Sequence, residues 1–282
     1  MGDGPWAWRR ARYTLLDGAL DEGTTLYSHS SISKLRSLGT AMRTQDGSQV
    51  SFDFDNSPPL QLSLGATFEE AGVGSQLWEA SIALALFQRS HILPLPQSAR
   101  VLELGCGLGL PSLDMARWQG ERVPSRVLLT DSRSRLIDLA NENAATMRNT
   151  MPWATEVQTT QLDWNTHDEA HQPLNADVII GSDICYEPAS VPPLASFLER
   201  FAAPLTIIIG PTGRPSMKML REMLCDSPML SVEEKRLTLV SEDADKPRAP
   251  EEEDDHHMMR SSGVYSLVIV RPAAQAPAAA MA

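Results

Sequence analysis

Hydrophobic and polar positions in the first hundred residues predict a hairpin followed by a buried helix. Apolar and polar residues alternate over 48–54 and again over 60–64, with a short polar, proline-containing turn between them. A period of two residues is typical of strands. Residues 76–91 are apolar on more than one face, which indicates a buried helix. Residues 1–47 show no clear core pattern and are interpreted as an N-terminal extension.

From residue 99 onward, short apolar runs alternate with amphipathic segments. The runs predict seven strands, at 99–105, 126–131, 155–164, 176–183, 205–210, 234–240 and 263–270. The segments between them predict helices, at 111–118, 134–147, 191–201 and 217–225. Strands that alternate with helices form a mostly parallel sheet with helices on both faces. The pattern therefore predicts an α/β fold.

Length and charge add limits on the organisation of the chain. The 282 residues suit one domain, placed at 48–271, with an N-terminal extension. The net charge is −12, and the stretch 241–257 alone has eight acidic and two basic residues. We expect 241–260 to be a disordered loop and 272–282 a disordered tail. The chain has no basic stripe and no apolar run of membrane-spanning length, so neither nucleic acid nor a membrane is expected as a partner.

Cysteine and histidine usage indicates a reduced, metal-free protein. Cys106, Cys185 and Cys225 are odd in number and none has CxxC spacing, which favours free thiols in the cytoplasm or nucleus. The adjacent His256 and His257 lie in the acidic stretch and are interpreted as a solvated loop, so no metal is expected. The start of the chain has no secretory pattern, so no secretory signal is expected. Separately, the protein is expected to be a monomer.

The chemistry is concentrated where two predicted strands end. Gly105, Gly107 and Gly109 follow the strand at 99–105, and glycine lets a backbone approach a ligand closely. Their GxGxG spacing is not the GxGxxG of dinucleotide sites. Asp131 ends the next strand, where a carboxylate can accept hydrogen bonds from the two hydroxyls of a ribose. Together they predict a site for a nucleoside-containing cofactor.

Five segments, in this order, resemble the eukaryotic methyltransferase family 16, whose members are S-adenosylmethionine-dependent protein-lysine methyltransferases. The segments are LWEAS at 77–81, VLELGCGLGLP at 101–111, LLTDS at 128–132, LDW at 162–164 and ADVIIGSDICYEP at 176–188. The resemblance covers roughly residues 50–240. It implies a Rossmann-like, seven-stranded fold, S-adenosyl-L-methionine as cofactor, and a protein substrate such as a chaperone or a translation factor.

The resemblance also implies the roles of individual residues. Trp78 matches a tryptophan near the cofactor, Asp131 the acid that binds the ribose, and Trp164 the residue beside the adenine. The other residues that it places against the cofactor are Glu103, Gly105, Cys106, Gly107, Asp163 and Ser182.

Asp183 and Tyr186 match the DxxY motif at the end of the fourth predicted strand, and they are the predicted catalytic residues. Asp183 would orient the acceptor amine, and Tyr186 would form a wall of the lysine channel. Each assignment has a purely structural alternative, since Asp183 could cap a helix and the aromatic residues could pack in the core.

Three alternative functions stay open. The same chemistry could act on arginine or histidine. A nicotinamide-dependent oxidoreductase would need a GxGxxG loop, and this sequence does not have one there. A non-catalytic binding protein on the same fold would be expected to have lost Gly105, Asp131 or Asp183, and all three are present.

Overall fold

The computed structural model describes residues 10–17, 35–44, 48–54, 58–65, 69, 72–90, 95–120, 122–150, 154–166, 174–243 and 260–273. The strands are β1 Arg10–Asp17, β2 Leu35–Arg43, β3 Gln49–Phe54, β4 Leu60–Ser63, β5 Arg100–Leu104, β6 Arg126–Asp131, β7 Glu156–Gln161, β8 Val178–Ser182, β9 Leu205–Pro211, β10 Leu230–Asp243 and β11 Arg260–Pro272. The α-helices are α1 Glu79–Arg89, α2 Leu110–Ala116, α3 Ser134–Thr150, α4 Val191–Phe201 and α5 Pro215–Cys225. Short 3-10 turns cover Gly72–Ser75 and Pro188–Ser190.

The eleven strands described form one sheet in the order β4-β3-β2-β1-β10-β11-β9-β8-β5-β6-β7. Five of them, β7, β6, β5, β8 and β9, are parallel. β11 and β10 continue the sheet in antiparallel fashion. These seven strands and their parallel core confirm the predicted α/β fold.

Helices cover both faces of this sheet because its central strands bury side chains on both sides. In β9, Ile207 and Ile209 face the core under α1, α2 and α3, whereas Ile208 faces the core under α4 and α5. Successive residues of a strand point to opposite faces, so a run of apolar residues fills two cores at once.

The prediction that residues 1–47 form an extension without a core pattern is wrong for the residues of this segment that the structure describes. β1 pairs with β10, and β2 pairs with both β1 and β3, so the sheet runs continuously across the predicted boundary at residue 47. Tyr13 and Leu15 of β1 are buried in the core under α1. The predicted hairpin at 48–64 is confirmed as β3 and β4.

Two other predictions concern the ends of elements. The last two strands extend beyond the predicted 234–240 and 263–270 into β10 and β11, so the predicted loop at 241–260 begins inside a strand. Residues 244–259, which include His256 and His257, and residues 274–282 lie outside the described residues. Within the described part, no helix is long and apolar enough to cross a bilayer.

The N-terminal meander, β1 to β4, folds back over the face that carries α1 to α3. The backbone N–H of Ser63 in β4 donates to Oδ1 of Asn143 in α3, at 2.7 Å. The Nδ2 atom of Asn143 donates in turn to the carbonyl of Leu108, at 3.1 Å. A buried amide of α3 therefore joins the edge of the meander to the glycine loop after β5.

Candidate active site

A cleft lies at the carboxyl ends of β5, β6 and β8. The 3-10 turn Gly72–Ser75 and the start of α1 lie above it. In open α/β sheets this edge is where ligands bind. Nine of the eleven predicted site residues line it: Trp78, Gly105, Cys106, Gly107, Asp131, Trp164, Ser182, Asp183 and Tyr186. The sheet topology thus brings together residues that are spread over more than a hundred positions of the chain.

The glycine loop after β5 forms the floor of the cleft. Gly105 has φ +59°, and a Cβ there would lie 2.5 Å from Cγ2 of Ile184. Gly107 has φ +50°, and a Cβ there would lie 3.0 Å from the carbonyl oxygen of Gly74 in the 3-10 turn. Both the positive φ and the close approach require glycine at these positions.

Asp131, at the end of β6, is held in place by backbone amides. Its Oδ2 accepts from the N–H of Gly107 and its Oδ1 from the N–H of Arg133, each at 3.2 Å. The residue is 8% exposed, and burial raises the pKa of its carboxyl while these backbone hydrogen bonds oppose the rise. A carboxylate fixed in this way against the glycine loop can receive the hydroxyls of a ribose.

Glu103 was predicted to bind the cofactor, but it does not line the cleft that the described residues form. Its side chain is fully buried, and Oε2 accepts from the N–H of Ser112 near the start of α2, at 3.3 Å. Oε1 has no hydrogen-bond partner within the described part of the chain. Burial raises the pKa of this carboxyl to about 8. Glu103 therefore supports the glycine loop from behind.

Asp163 was also placed against the cofactor, and its side chain does not line the cleft either. Its Oδ1 accepts from the backbone N–H of Asn165 at 2.9 Å, which closes a turn after β7. This turn presents the neighbouring Trp164 to the cleft. The Nε1 atom of Trp164 is itself buried and has no partner among the described residues, so it is the edge and face of the indole that border the cleft.

Trp78 and Tyr186 form an exposed aromatic rim. Trp78 is 38% exposed and its Nε1 donates to the carbonyl of Val73 at 2.8 Å, so the indole is anchored to the 3-10 turn. Tyr186 is 52% exposed, and partial burial raises the pKa of its hydroxyl. Large aromatic side chains left in contact with solvent at a cleft are suited to contact a second molecule.

Asp183 follows β8 in a left-handed conformation, with φ +56°. Its backbone N–H donates to the carbonyl of Ile209 at 2.8 Å, which holds this unusual turn on β9. Burial raises the pKa of its carboxyl and the nearby Arg214 guanidinium opposes the rise. A non-glycine residue in this region is strained, and such strain is concentrated at functional sites.

Sequence reasoning missed three features of the cleft. Arg214, at the start of α5, pairs with Asp183, with Nη1 2.5 Å from Oδ1. Arg133 lies beside Gly72, whose φ is +63°. Gly74 lies against the glycine loop. The glycines in the segment before LWEAS were the available signal for the turn, whereas nothing local marked Arg214.

Two cysteines lie at the cleft, and Cys106 lines it. Cys106 and Cys185 are buried free thiols, and burial raises the pKa of Cys185 to about 12. The described residues contain no cluster of three side chains that could hold a metal ion.

The protein has the fold of Rossmann-like methyltransferases. Its parallel strands have the order β7-β6-β5-β8-β9 with the antiparallel β11 and β10 beside them, and the glycine loop and an acid lie at successive strand ends. The profile of the lysine methyltransferase family matches residues 56–215. This chain belongs to that family.

Individual relatives are more distant. The chain is 26% identical over 151 residues to the protein N-lysine methyltransferase METTL21A of Danio rerio, covering 53% of this chain and 65% of the relative. It is 29% identical over 150 residues to the protein-lysine N-methyltransferase EFM3 of Chaetomium thermophilum, covering 50% and 43%. The matches thus span less than two thirds of either relative. A functionally unknown protein of Deinococcus radiodurans R1 aligns in structure at a TM-score of 0.44, with 17% identity over 70% of this chain and 89% of that chain.

Proposed function

We propose that the protein transfers a methyl group from S-adenosyl-L-methionine to the ε-amine of a lysine in another protein. The observation that carries this proposal is the presence of Asp131 and Asp183 in one cleft with the glycine loop. Asp131 ends β6 and Asp183 follows β8, and these two strands flank β5. Two strand spacings separate them by about 10 Å. That leaves room for a nucleoside at one acid and an acceptor at the other.

The residues present fit the cofactor. Asp131 would hold the ribose hydroxyls, and the Gly105–Gly107 loop would let the amino-acid part lie on the backbone. The indole of Trp164, which lines the cleft, would lie beside the base. When bound, S-adenosylmethionine supplies an activated methyl group on a sulfonium, so the protein chiefly has to align donor and acceptor.

The acceptor side of the cleft must provide a neutral amine. A lysine side chain has an unperturbed pKa near 10.4, so only about one in a thousand is neutral at physiological pH. A negative Asp183 by itself would favour the charged form, so we assign it a role in orienting the amine by a hydrogen bond. The proton would leave to water before the methyl group moves. Tyr186 would bound the channel through which the lysine enters.

The choice of lysine over other acceptors is supported by the family and by the names of both curated relatives. We propose that the substrate is a cytoplasmic or nuclear protein, with chaperones and translation factors as the first classes to examine. Fractionated cell extract, incubated with the enzyme and methyl-labelled cofactor, would identify it by mass spectrometry of the labelled band.

Calorimetric titration tests the cofactor. We expect S-adenosylmethionine to bind and NAD not to bind, and we expect Asp131→Ala to abolish binding of the former. Asp138→Ala, which removes an exposed carboxylate from α3, is the matched control and should bind normally. Binding that survives Asp131→Ala would place the cofactor elsewhere, and binding of NAD would favour an oxidoreductase.

Methylation of extract proteins tests the activity. We expect Asp183→Asn to bind the cofactor and to lose most of the label transfer, because the amine is no longer oriented. Full transfer by this variant would contradict the role of Asp183. Cofactor binding without transfer by the wild-type protein would instead identify a non-catalytic binding protein.

A further inference from the structure

Arg214 brings a fixed positive charge into the acceptor end of the cleft. It lines the cleft and directly precedes α5, and its Nη1 lies 2.5 Å from Oδ1 of Asp183. The two side chains are 27% and 12% exposed, so solvent screens this pair less than a surface ion pair. The catalytic carboxylate is therefore already paired before any substrate arrives.

The backbone fixes both partners. Asp183 is held by its hydrogen bond to Ile209, and the N–H of Arg214 donates to the carbonyl of Pro211 at 3.1 Å. A proline follows Arg214 and opens α5, which restricts the backbone further. The pair is thus a built feature of two neighbouring strand ends.

The other ionisable groups that interact with Asp183 add no second positive charge. Burial and the Asp183 carboxylate both raise the pKa of Cys185, so this thiol stays neutral. The same holds for Tyr265 of β11, whose hydroxyl donates to Oε2 of Glu79 in α1 at 3.1 Å. Among the described residues, Arg214 is the cation that balances Asp183.

We propose that Arg214 is a specificity-determining residue that selects acceptors able to become neutral. This inference rests on the proposed methyl transfer. Because Arg214 cancels the charge of Asp183, the acceptor end of the cleft does not stabilise a second cation. A lysine amine can enter after losing its proton, and it can donate a hydrogen bond to the remaining oxygen of Asp183. A guanidinium stays charged at all physiological pH values and is rejected.

The charge of the acceptor end can be measured without knowing the substrate. Two cofactor analogues serve as probes: S-adenosylhomocysteine, which lacks the methyl group, and sinefungin, which carries a cationic amine where the cofactor carries its methyl sulfonium. The ratio of their affinities at pH 8 reports how well the site accepts a positive charge next to the acceptor position.

We expect Arg214→Met to raise the affinity for sinefungin relative to S-adenosylhomocysteine by about tenfold, the effect of one added charge-assisted hydrogen bond to the unpaired Asp183. Arg214→Lys keeps the charge and should keep the wild-type ratio. Adding Asp183→Asn to Arg214→Met should abolish the gain. Arg221→Met, the same change at the partly exposed Arg221–Glu234 ion pair of α5, which lies outside the cleft lining, is the matched control and should leave the ratio unchanged.

The outcomes separate this inference from the proposed function. If the wild-type protein binds neither analogue, the proposed function fails and this inference fails with it. If both bind and the ratio does not rise in Arg214→Met, the role of Arg214 alone is overturned. Hydrolysates of labelled extract provide a second test: we expect methyl-lysine, and labelled methyl-arginine made by the wild-type protein would overturn the selection.

Discussion

Replacement of the buried Glu103 by glutamine should change how the stability of the protein depends on pH. The carboxyl is fully buried behind the glycine loop, and burial raises its pKa to about 8 from an ordinary value of 4.5. The folded protein therefore keeps a proton on Glu103 that the unfolded chain releases. Stability from this group is fully present below pH 4.5 and is lost as the pH rises towards 8.

The magnitude follows from the shift. Between the two pKa values, each pH unit removes about 1.4 kcal/mol of the free energy of unfolding. From pH 5.5 to pH 7.5 the wild-type protein should lose about 3 kcal/mol through this one group. Glu103→Gln has a neutral side chain of similar shape, so it removes this contribution and leaves those of all other groups.

Denaturant unfolding followed by circular dichroism at several pH values measures the effect. We expect the variant to gain stability relative to wild type as the pH rises, and to bind S-adenosylmethionine normally because Glu103 lies outside the cleft. Glu142→Gln, at an exposed position on α3, is the matched control and should show the wild-type dependence. Parallel stability curves for wild type and Glu103→Gln would refute the reasoning, as would loss of cofactor binding by a stably folded variant.

Three further substitutions, and one comparison variant, test the packing around the site by urea unfolding. Gly105→Ala should lower the free energy of unfolding by about 2 kcal/mol or more, through both backbone strain and the clash with Ile184. Gly120→Ala, at φ +88° with open space around it, should show the strain alone. Equal losses in the two variants would contradict the clash. Asn143→Ala should lose about 2 kcal/mol because two backbone groups, of Ser63 and Leu108, lose their partner, and a neutral effect would show that water replaces the amide. Asp114→Asn should lower the free energy of unfolding by about 3 kcal/mol or more, because Arg89 and Arg117 both bond to that fully buried carboxylate. A loss no larger than that of an exposed ion pair would contradict the burial of Asp114.

The elements that the sequence predicted well have a local cause. The predicted helix at 191–201 matches α4 at both ends because its prolines lie in the first turn and its apolar residues follow the helical period. The predicted strand at 126–131 likewise matches β6, which ends at Asp131. The glycine loop and Asp131 could be assigned because each follows a strand that the sequence marks clearly.

The elements that could not be predicted from the sequence depend on distant partners. β2 contains Gly39, where a Cβ would lie 3.2 Å from Cδ2 of Leu86 in α1, so close packing of the helix requires a small residue where a strand pattern would place a large apolar one. Arg214 could not be recognised because its partner Asp183 reaches it only through the neighbouring strands β8 and β9. The burial of Glu103 was likewise hidden, since adjacency to the glycine loop does not tell on which side of it a side chain lies.

The pairing of β1 with β10 has a consequence for how the protein is made. Leu15 lies opposite Leu239, so β1 cannot pair with β10 until the chain has been synthesised beyond residue 239. At about 5–20 residues per second, this interval lasts on the order of ten seconds or longer. During that time Leu15 and the other residues of β1 lack their partners on β10. The first strand of the meander is therefore completed by one of the later strands to be synthesised, and its β10-facing edge stays unpaired during that interval.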